Sequence, residues 1–173
     1  MNTNNSFKSF QPHDLTEKFD SIANDILKNN EKFYLDTNNI DILLKIINHE
    51  SGGFIRIVDW FVERYAEKNN TNYVIELNGE QKTFFVYNEY KQQFNDNNQL
   101  YFDPFCRKRK IDYLLMNTKN GEVDIVFTTS IGQLNFFQWA IKNKVIDYVY
   151  DHLDEIRTDM QSNWRLNRAT YSI

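Results

Sequence analysis

Three stretches in the first part of the chain carry apolar side chains at every third or fourth position. They cover residues 15–27, 40–47 and 54–65. This spacing places the apolar side chains on one face of an α-helix. The sequence therefore predicts three amphipathic helices, the first of which begins at Asp14 and ends at the asparagine pair of residues 29–30.

The pattern then changes to an alternation of apolar and polar residues, which is typical of strands. Two stretches alternate in this way, and each contains an Asn-Gly pair, at Asn78-Gly79 and at Asn120-Gly121. Asn-Gly favours the tight turn of a β-hairpin, because both central residues of that turn need a positive φ. The predicted strands are residues 72–77 with 82–87, and residues 111–116 with 123–128.

A last apolar pattern runs from Ile131 to Met160. Thr129 or Ser130 is the predicted N-cap, because a side-chain oxygen at that position accepts a hydrogen bond from the first helical turn. The spacing fits one long helix, and equally two consecutive helices with a break at Asn143, since asparagine tolerates the left-handed conformation that ends helices.

These elements predict the α+β class, with N-terminal helices, two β-hairpins that form a small antiparallel sheet, and a C-terminal helical element packed on the sheet. Residues 1–13 are polar and have no period, so they are predicted to be a flexible arm. Residues 14–173 are predicted to form a single α+β domain, because no internal repeat or Gly/Ser-rich linker divides them.

The composition indicates the cellular compartment in which such a chain is expected. It has one cysteine among 173 residues, so an intramolecular disulfide cannot form. Its N-terminus lacks the basic and apolar regions of a signal peptide, and no apolar run approaches the about 20 residues of a membrane span. We therefore expect a protein of a reducing compartment that is neither secreted nor bound in a membrane.

Catalytic patterns are scarce. The three histidines His13, His49 and His152 are far apart, and the chain has no phosphate-binding loop, dinucleotide fingerprint or nucleophile elbow. We expect no enzyme activity, no cofactor and no metal site. A Cys-dependent activity is the less favoured alternative: cations beside Cys106 favour a reactive thiolate, but free cysteines are usually buried and inert.

Four consecutive cations, which we call the basic turn, follow the turn at Pro104. They are Arg107, Lys108, Arg109 and Lys110. Such a group suits the binding of phosphate or of an acidic partner, because guanidinium groups make paired hydrogen bonds to such anions. In the alternative interpretation the turn is solvated, and its arginines pair with Asp103, Asp112 or helix carboxylates.

The net charge of −4 argues against a protein that coats nucleic acid, because such binding depends on many Lys and Arg contacts with phosphates. Any contact with nucleic acid is therefore expected to be local. Three arginines near the C-terminus are predicted to be secondary basic contacts: Arg157, Arg165 and Arg168. If they lie beside the basic turn, the joint surface can hold a phosphate backbone.

The start of the C-terminal helical region carries an unusual group of residues. Gly132, Gln133, Leu134 and Asn135 stand at the helix start, where free backbone N–H groups can bind an anion, although most helix starts are simply capped. The aromatic residues Phe136, Phe137 and Trp139 follow. They can stack on nucleic-acid bases, but the helical spacing favours a place in the core.

Three longer motifs resemble those of a known family. They are RIVDWFVERYAEKNN, YFDPFCRKRKI and TTSIGQLNFFQWAI. They resemble a family of uncharacterised proteins of nucleocytoplasmic large DNA viruses, particularly mimivirus-like giant viruses, over residues 54–160. The last motif is the most specific, because its Gly-Gln-Leu-Asn start with the following aromatic residues is improbable by chance. The resemblance implies no particular activity, and it implies a location in the host cytoplasm or viral factory, or in the virion.

Two classes of function agree with these observations. The first is a non-enzymatic protein–protein interaction or virion-associated module, which the acidic balance and the absence of catalytic motifs favour. The alternative is a nucleic-acid-associated accessory protein that binds phosphate through residues 107–110. A protein partner is therefore expected, with nucleic acid as the alternative partner.

Overall fold

The fold is known from a computed structural model, which describes residues 6–14, 18–48, 53–117 and 123–170. The described residues form helices and two small antiparallel sheets, so the α+β class is confirmed. Among these residues, no helix is both long and apolar enough to cross a membrane.

The helices that follow one another along the chain are α1 (Ser21–Tyr34), α2 (Thr37–Ile47), α3 (Gly53–Trp60), α4 (Ala66–Lys68), α5 (Val86–Tyr101), α6 (Ile131–Lys142), α7 (Val145–Asp151) and α8 (Leu153–Thr170). A π-helical turn, Phe61–Tyr65, joins α3 to α4. The strands are β1 (Ser6–Pro12), β2 (Asn72–Leu77), β3 (Glu80–Phe85), β4 (Lys110–Asn117) and β5 (Val123–Ser130).

The two predicted hairpins are present, but they do not share one sheet. Strands β2 and β3 form a two-stranded sheet, whereas β4 and β5 belong to a three-stranded sheet of order β1-β4-β5. The turn of the first hairpin is as predicted, since Asn78 and Gly79 both have a positive φ, of 53° and 82°. The predicted turn at Asn120-Gly121 lies outside the described residues.

Strand β1 lies in the segment that the sequence indicated as a flexible arm. Residues 6–12 instead pair with β4 along its free edge. Phe10 is only 3% exposed, and its ring centroid lies 4.9 Å from that of Tyr113, the residue opposite it on β4. The strand is thus held by partners about a hundred positions away, which no local period can reveal.

Helix α1 is displaced relative to its predicted bounds. It begins after Asp20, whose carboxylate accepts a hydrogen bond of 2.8 Å from the Ala23 backbone N–H, and it continues through residues 29–30 to Tyr34. Inside the helix, the buried Asn30 amide nitrogen donates a hydrogen bond of 2.9 Å to the Ile26 carbonyl, one turn earlier, while the amide oxygen has no partner among the described residues.

The C-terminal region consists of three consecutive helices, α6, α7 and α8. The first break is near the predicted Asn143, but the left-handed residue is Lys144, with φ 61°. The Asn143 side chain donates a hydrogen bond of 2.8 Å to the Trp139 carbonyl, which satisfies an acceptor at the end of α6. Ser130, one of the two predicted caps, accepts a hydrogen bond of 3.1 Å from the Gln133 backbone at the start of α6.

The chain divides into two compact units. The first contains residues 1–43 and 97–138, and the second contains residues 44–96 and 139–173. The core of the second unit includes a stack of aromatic rings, in which Tyr148 lies 5.2 Å from Phe61 and 5.3 Å from Tyr73. The Tyr73 hydroxyl also donates to the Asn143 carbonyl, so hairpin β2–β3 packs on the C-terminal helices. That residues 14–173 act as one domain stays a prediction.

Replacing Phe10 by alanine tests whether β1 is part of the folded core. We expect the free energy of unfolding to fall by about 3–5 kcal/mol, because truncating a buried aromatic residue removes apolar contacts and leaves a cavity. Gln11→Ala, at the exposed neighbouring position, should change it by less than about 0.5 kcal/mol. Urea denaturation measures both values, and equal stability of the two variants would mean that residues 6–12 behave as an arm.

Candidate functional site

A cavity of about 440 Å³ lies beside the basic turn in the first unit. Its lining residues come from the end of α5, the following turn, the basic turn and the start of α6. They are Gln99, Leu100, Asp103, Phe105, Arg107, Lys108, Ser130 and Gly132. We call it the basic-turn cavity.

The buried side chain of Gln133 joins the segments around this cavity. Its amide nitrogen donates a hydrogen bond of 2.8 Å to the Pro104 carbonyl. Its amide oxygen accepts a hydrogen bond of 2.7 Å from the Thr129 hydroxyl. Gln133 therefore attaches the Pro104 turn to the start of α6 in a place that water does not reach, at 3% exposure.

Gly132 allows the start of α6 to approach the end of α5 closely. A Cβ atom at this position would lie 3.0 Å from the Leu100 carbonyl oxygen, and the Gly132 carbonyl accepts a hydrogen bond from the Asp103 backbone. Asn135 donates a hydrogen bond of 2.8 Å to the Tyr101 carbonyl. Gly132, Gln133 and Asn135 of the Gly-Gln-Leu-Asn group thus hold the start of α6 against the end of α5 and the Pro104 turn. The predicted cap at Ser130 adds to this contact.

Arg107 is fixed in position by an ion pair with Asp103. The guanidinium Nε and Nη2 atoms lie 2.9 Å and 3.0 Å from the two carboxylate oxygens, and the group covers the Phe105 ring at 4.8 Å. Asp103 is one of the partners that the solvated-turn interpretation predicted. The side chain of Arg107 is still 57% exposed, so its charge stays at the surface of the cavity.

Arg109 is directed away from the cavity lining. Its backbone is left-handed, with φ 51°, and its guanidinium lies 3.5 Å from Asp20 and over the rings of Phe19 and Tyr101. Hydrogen bonds from the Ala23 backbone and the Tyr101 hydroxyl lower the pKa of Asp20, and the charge of Arg109 lowers it further. Arg109 therefore supports the start of α1.

The two lysines of the basic turn are exposed. Lys108 lines the cavity, and Lys110 begins β4 opposite Ser130. Neither forms an ion pair with any residue that the structure describes. Asp112, another predicted partner of the basic turn, instead lies 2.9 Å from the His13 ring nitrogen Nδ1. The four cations are therefore divided into two paired arginines and two lysines that face solvent.

The predicted secondary contacts lie on α8, in the second unit. Arg157 forms an ion pair of 3.2 Å with Asp154, Arg165 is exposed, and the side chain of Arg168 lies outside the described residues. Their joint action with the basic turn stays a prediction.

Phe136 and Phe137 are fully buried and Trp139 is 8% exposed, so the core interpretation of these aromatic residues is confirmed.

Cys106 lies next to the cavity lining and is half-buried. Burial raises the pKa of the Cys106 thiol above its ordinary value, although the Lys110 charge and a hydrogen bond with Ser130 act in the opposite direction. The thiol is therefore mainly protonated at neutral pH, which does not favour a nucleophile. Among the described residues, no group of three or more His, Cys, Asp or Glu side chains could hold a metal ion.

Comparison of the sequence with known proteins identifies the family of the chain. A model of a family of unknown function, DUF7197, matches residues 2–172. The chain belongs to this family. It is 49% identical over 153 residues to Uncharacterized protein L507 of Acanthamoeba polyphaga mimivirus, and the match covers 88% of this chain and 59% of that relative. No solved structure shows a significant match.

The membership confirms the resemblance to proteins of mimivirus-like giant viruses. Two of the three stretches that carried the resemblance, YFDPFCRKRKI and TTSIGQLNFFQWAI, contribute most of the cavity lining. Sequence reasoning missed Gln99, Leu100 and Ser130 as lining residues. No local signal could have found them, because the end of α5 and the start of α6 meet only in the tertiary structure.

Gln133→Leu tests the contact that holds the cavity together. We expect the free energy of unfolding to fall by about 1–3 kcal/mol, because the Pro104 carbonyl and the Thr129 hydroxyl would stay buried without their partner. Gln138→Leu, the same change at a partly exposed position of α6, should alter it by no more than about 0.5 kcal/mol. Thermal or urea unfolding measures the stability of both variants. A Gln133→Leu variant as stable as the original protein would mean that the Gln133 hydrogen bonds do not stabilise this contact.

The raised pKa of Cys106 predicts slow alkylation. The native protein should react with iodoacetamide at neutral pH more slowly than the protein unfolded in urea, and the rate should increase with pH as the thiolate fraction grows. Mass spectrometry follows the modification, with Cys106→Ser as the unlabelled control. Labelling of the native protein as fast as that of the unfolded protein would show a reactive thiolate.

Proposed function

We propose that this protein is a non-enzymatic protein-interaction module whose basic-turn cavity receives an acidic side chain of a protein partner. The observation that carries the proposal is the position of Lys108, an exposed cation on the wall of a cavity, next to Arg107, whose orientation Asp103 fixes. Arg107 suits a carboxylate or phosphate group, because its guanidinium is already oriented and loses little side-chain entropy on binding, and Lys108 adds a second positive charge beside it.

The division of the basic turn supports a protein partner over nucleic acid. A nucleic-acid backbone presents a row of phosphates, and its affinity grows with the number of cations that contact it. Here Arg107 and Arg109 already have carboxylate partners, and the whole chain carries a net charge of −4. A single acidic side chain needs only one or two cations.

The lining of the cavity also supports a binding site without catalytic activity. The carboxylate and the hydroxyl of its lining both have structural partners: Asp103 pairs with Arg107, and Ser130 caps α6. A general base must be within hydrogen-bond reach of a nucleophile, and the lining contains no histidine for this task. The similarity to a mimivirus protein supports a location in the host cytoplasm, the viral factory or the virion.

Affinity purification from the native context tests this proposal. The tagged protein is recovered after nuclease treatment, and the retained proteins are quantified for the original chain and for Lys108→Glu. We expect protein partners to survive nuclease, and charge reversal at Lys108 to reduce their recovery by about tenfold or more, since like charges then meet in the cavity. Lys45→Glu, which changes an exposed lysine of α2, is the matched control and should keep full recovery.

Two results would overturn the proposal. Equal recovery by Lys108→Glu and Lys45→Glu would exclude the cavity as the docking site. Loss of all partners on nuclease treatment would favour the nucleic-acid alternative, in which Lys108 and Lys110 contact phosphates. Urea unfolding of each variant measures its stability and so distinguishes a loss of binding from a loss of folding.

A further inference from the structure

A second cavity, of about 280 Å³, lies between α1 and the strands β1 and β4 of the first unit. Three aromatic residues contribute to its wall, and charged side chains of α1 form part of its rim. The lining residues are Ser9, Phe10, Lys28, Glu31, Lys32, Tyr34, Leu35 and Tyr113. We call it the aromatic cavity.

The wall of the aromatic cavity is preformed, because its rings hold one another in place. The ring of Phe10 lies 4.9 Å from that of Tyr113 and 6.2 Å, edge-on, from that of Tyr34. The Tyr34 hydroxyl donates a hydrogen bond of 3.0 Å to the Leu134 carbonyl. A ligand would therefore meet a rigid apolar surface and would not have to order it.

The rim combines apolar exposure with positive charge. Leu35 is 66% exposed, although it is a large apolar residue. Lys28 and Lys32 are four residues apart on α1, so they are neighbours on one face of the helix, and both are exposed. In the part of the chain that the structure describes, neither lysine forms an ion pair. Glu31 contributes one negative charge against the two lysines, so the net charge of these three rim residues is positive.

The wall also contains a polar atom that the fold leaves unsatisfied. Tyr113 is 5% exposed, and its buried hydroxyl has no hydrogen-bond partner among the described residues. Buried polar groups normally have a hydrogen-bond partner, so an unsatisfied hydroxyl in a cavity wall needs a water or a bound group to supply one. This observation is independent of the charges at the rim.

We infer that the aromatic cavity binds a compact amphipathic carboxylate, with its apolar part against the wall that Phe10, Tyr34 and Tyr113 line and its carboxylate at Lys28 and Lys32. The volume is slightly below the ~300–1,000 Å³ of drug-sized ligand sites, which limits the ligand to about one ring or a short acyl chain. The aromatic rings provide the apolar contact, and the two lysines select an anion over a neutral molecule of equal shape. The inference does not rest on the function proposed for the basic-turn cavity.

Phenylacetate and its neutral analogue phenylacetamide are suitable probes. Each is titrated into the isotope-labelled full chain, and backbone amide NMR signals are followed. We expect phenylacetate to cause saturable shifts at the lining residues of α1, β1 and β4, with a Kd of about 1 mM, as suits a ligand of this size. Phenylacetamide should bind about tenfold more weakly, because it lacks the charge that the lysines recognise.

Variants at the exposed rim locate the binding without risk to the core. Lys28→Gln/Lys32→Gln should weaken phenylacetate binding by about tenfold and leave phenylacetamide binding unchanged. The control Lys18→Gln/Lys45→Gln removes two exposed lysines that do not line the cavity, and it should bind as the original chain does. Leu35→Asp places a carboxylate at the rim and should also weaken phenylacetate binding, whereas Leu35→Asn should retain most of it.

Three results would overturn the inference. They are the absence of saturable shifts at the lining residues with phenylacetate, equal affinity for phenylacetamide, and equal loss of binding in the two lysine pairs. None of these results affects the test at Lys108, so the two proposals fail separately.

Discussion

The hydrogen bonds of one buried amide, that of Gln133, determine how the first unit is assembled around its site. Backbone carbonyls in a buried turn need a partner, and no backbone N–H among the described residues donates to the Pro104 carbonyl. Gln133 supplies it from α6 and is itself satisfied by Thr129 at the end of β5. The Pro104 turn is thereby attached to the junction of β5 and α6, 29 positions further along the chain, and the basic turn begins three residues after Pro104.

This arrangement gives different tasks to four cations that look equivalent in the sequence. Arg107 is oriented by Asp103 and stays at the cavity, whereas Arg109 reaches Asp20 at the cap of α1. The lysines need no planar partner, and they stay in solvent. Paired arginines stabilise the turn and orient charge, so the net attraction for an anion depends on few groups. The proposal of a single acidic group, rather than an extended polyanion, rests on this small number of available cations.

The first unit thus contains two cavities with different chemistry. The basic-turn cavity is polar and is built on backbone and side-chain hydrogen bonds, while the aromatic cavity is built on ring contacts between Phe10, Tyr34 and Tyr113. Both include residues from α-helices and from strands of the three-stranded sheet or the segments next to them. Strand β1 is essential to the second cavity, since Phe10 forms part of its wall.

The sequence by itself determined the α+β class, most helices, both hairpins, the Ser130 cap and the family motifs, because each depends on a local period or a local turn. Only the tertiary structure decided that residues 6–12 form a strand, that the hairpins lie in separate sheets, and that the two arginines have different partners. A strand with one buried aromatic residue has too little local pattern to be recognised, and an ion pair between Asp20 and Arg109 joins residues 89 positions apart. Such contacts depend on the packing of distant segments, which a linear pattern does not contain.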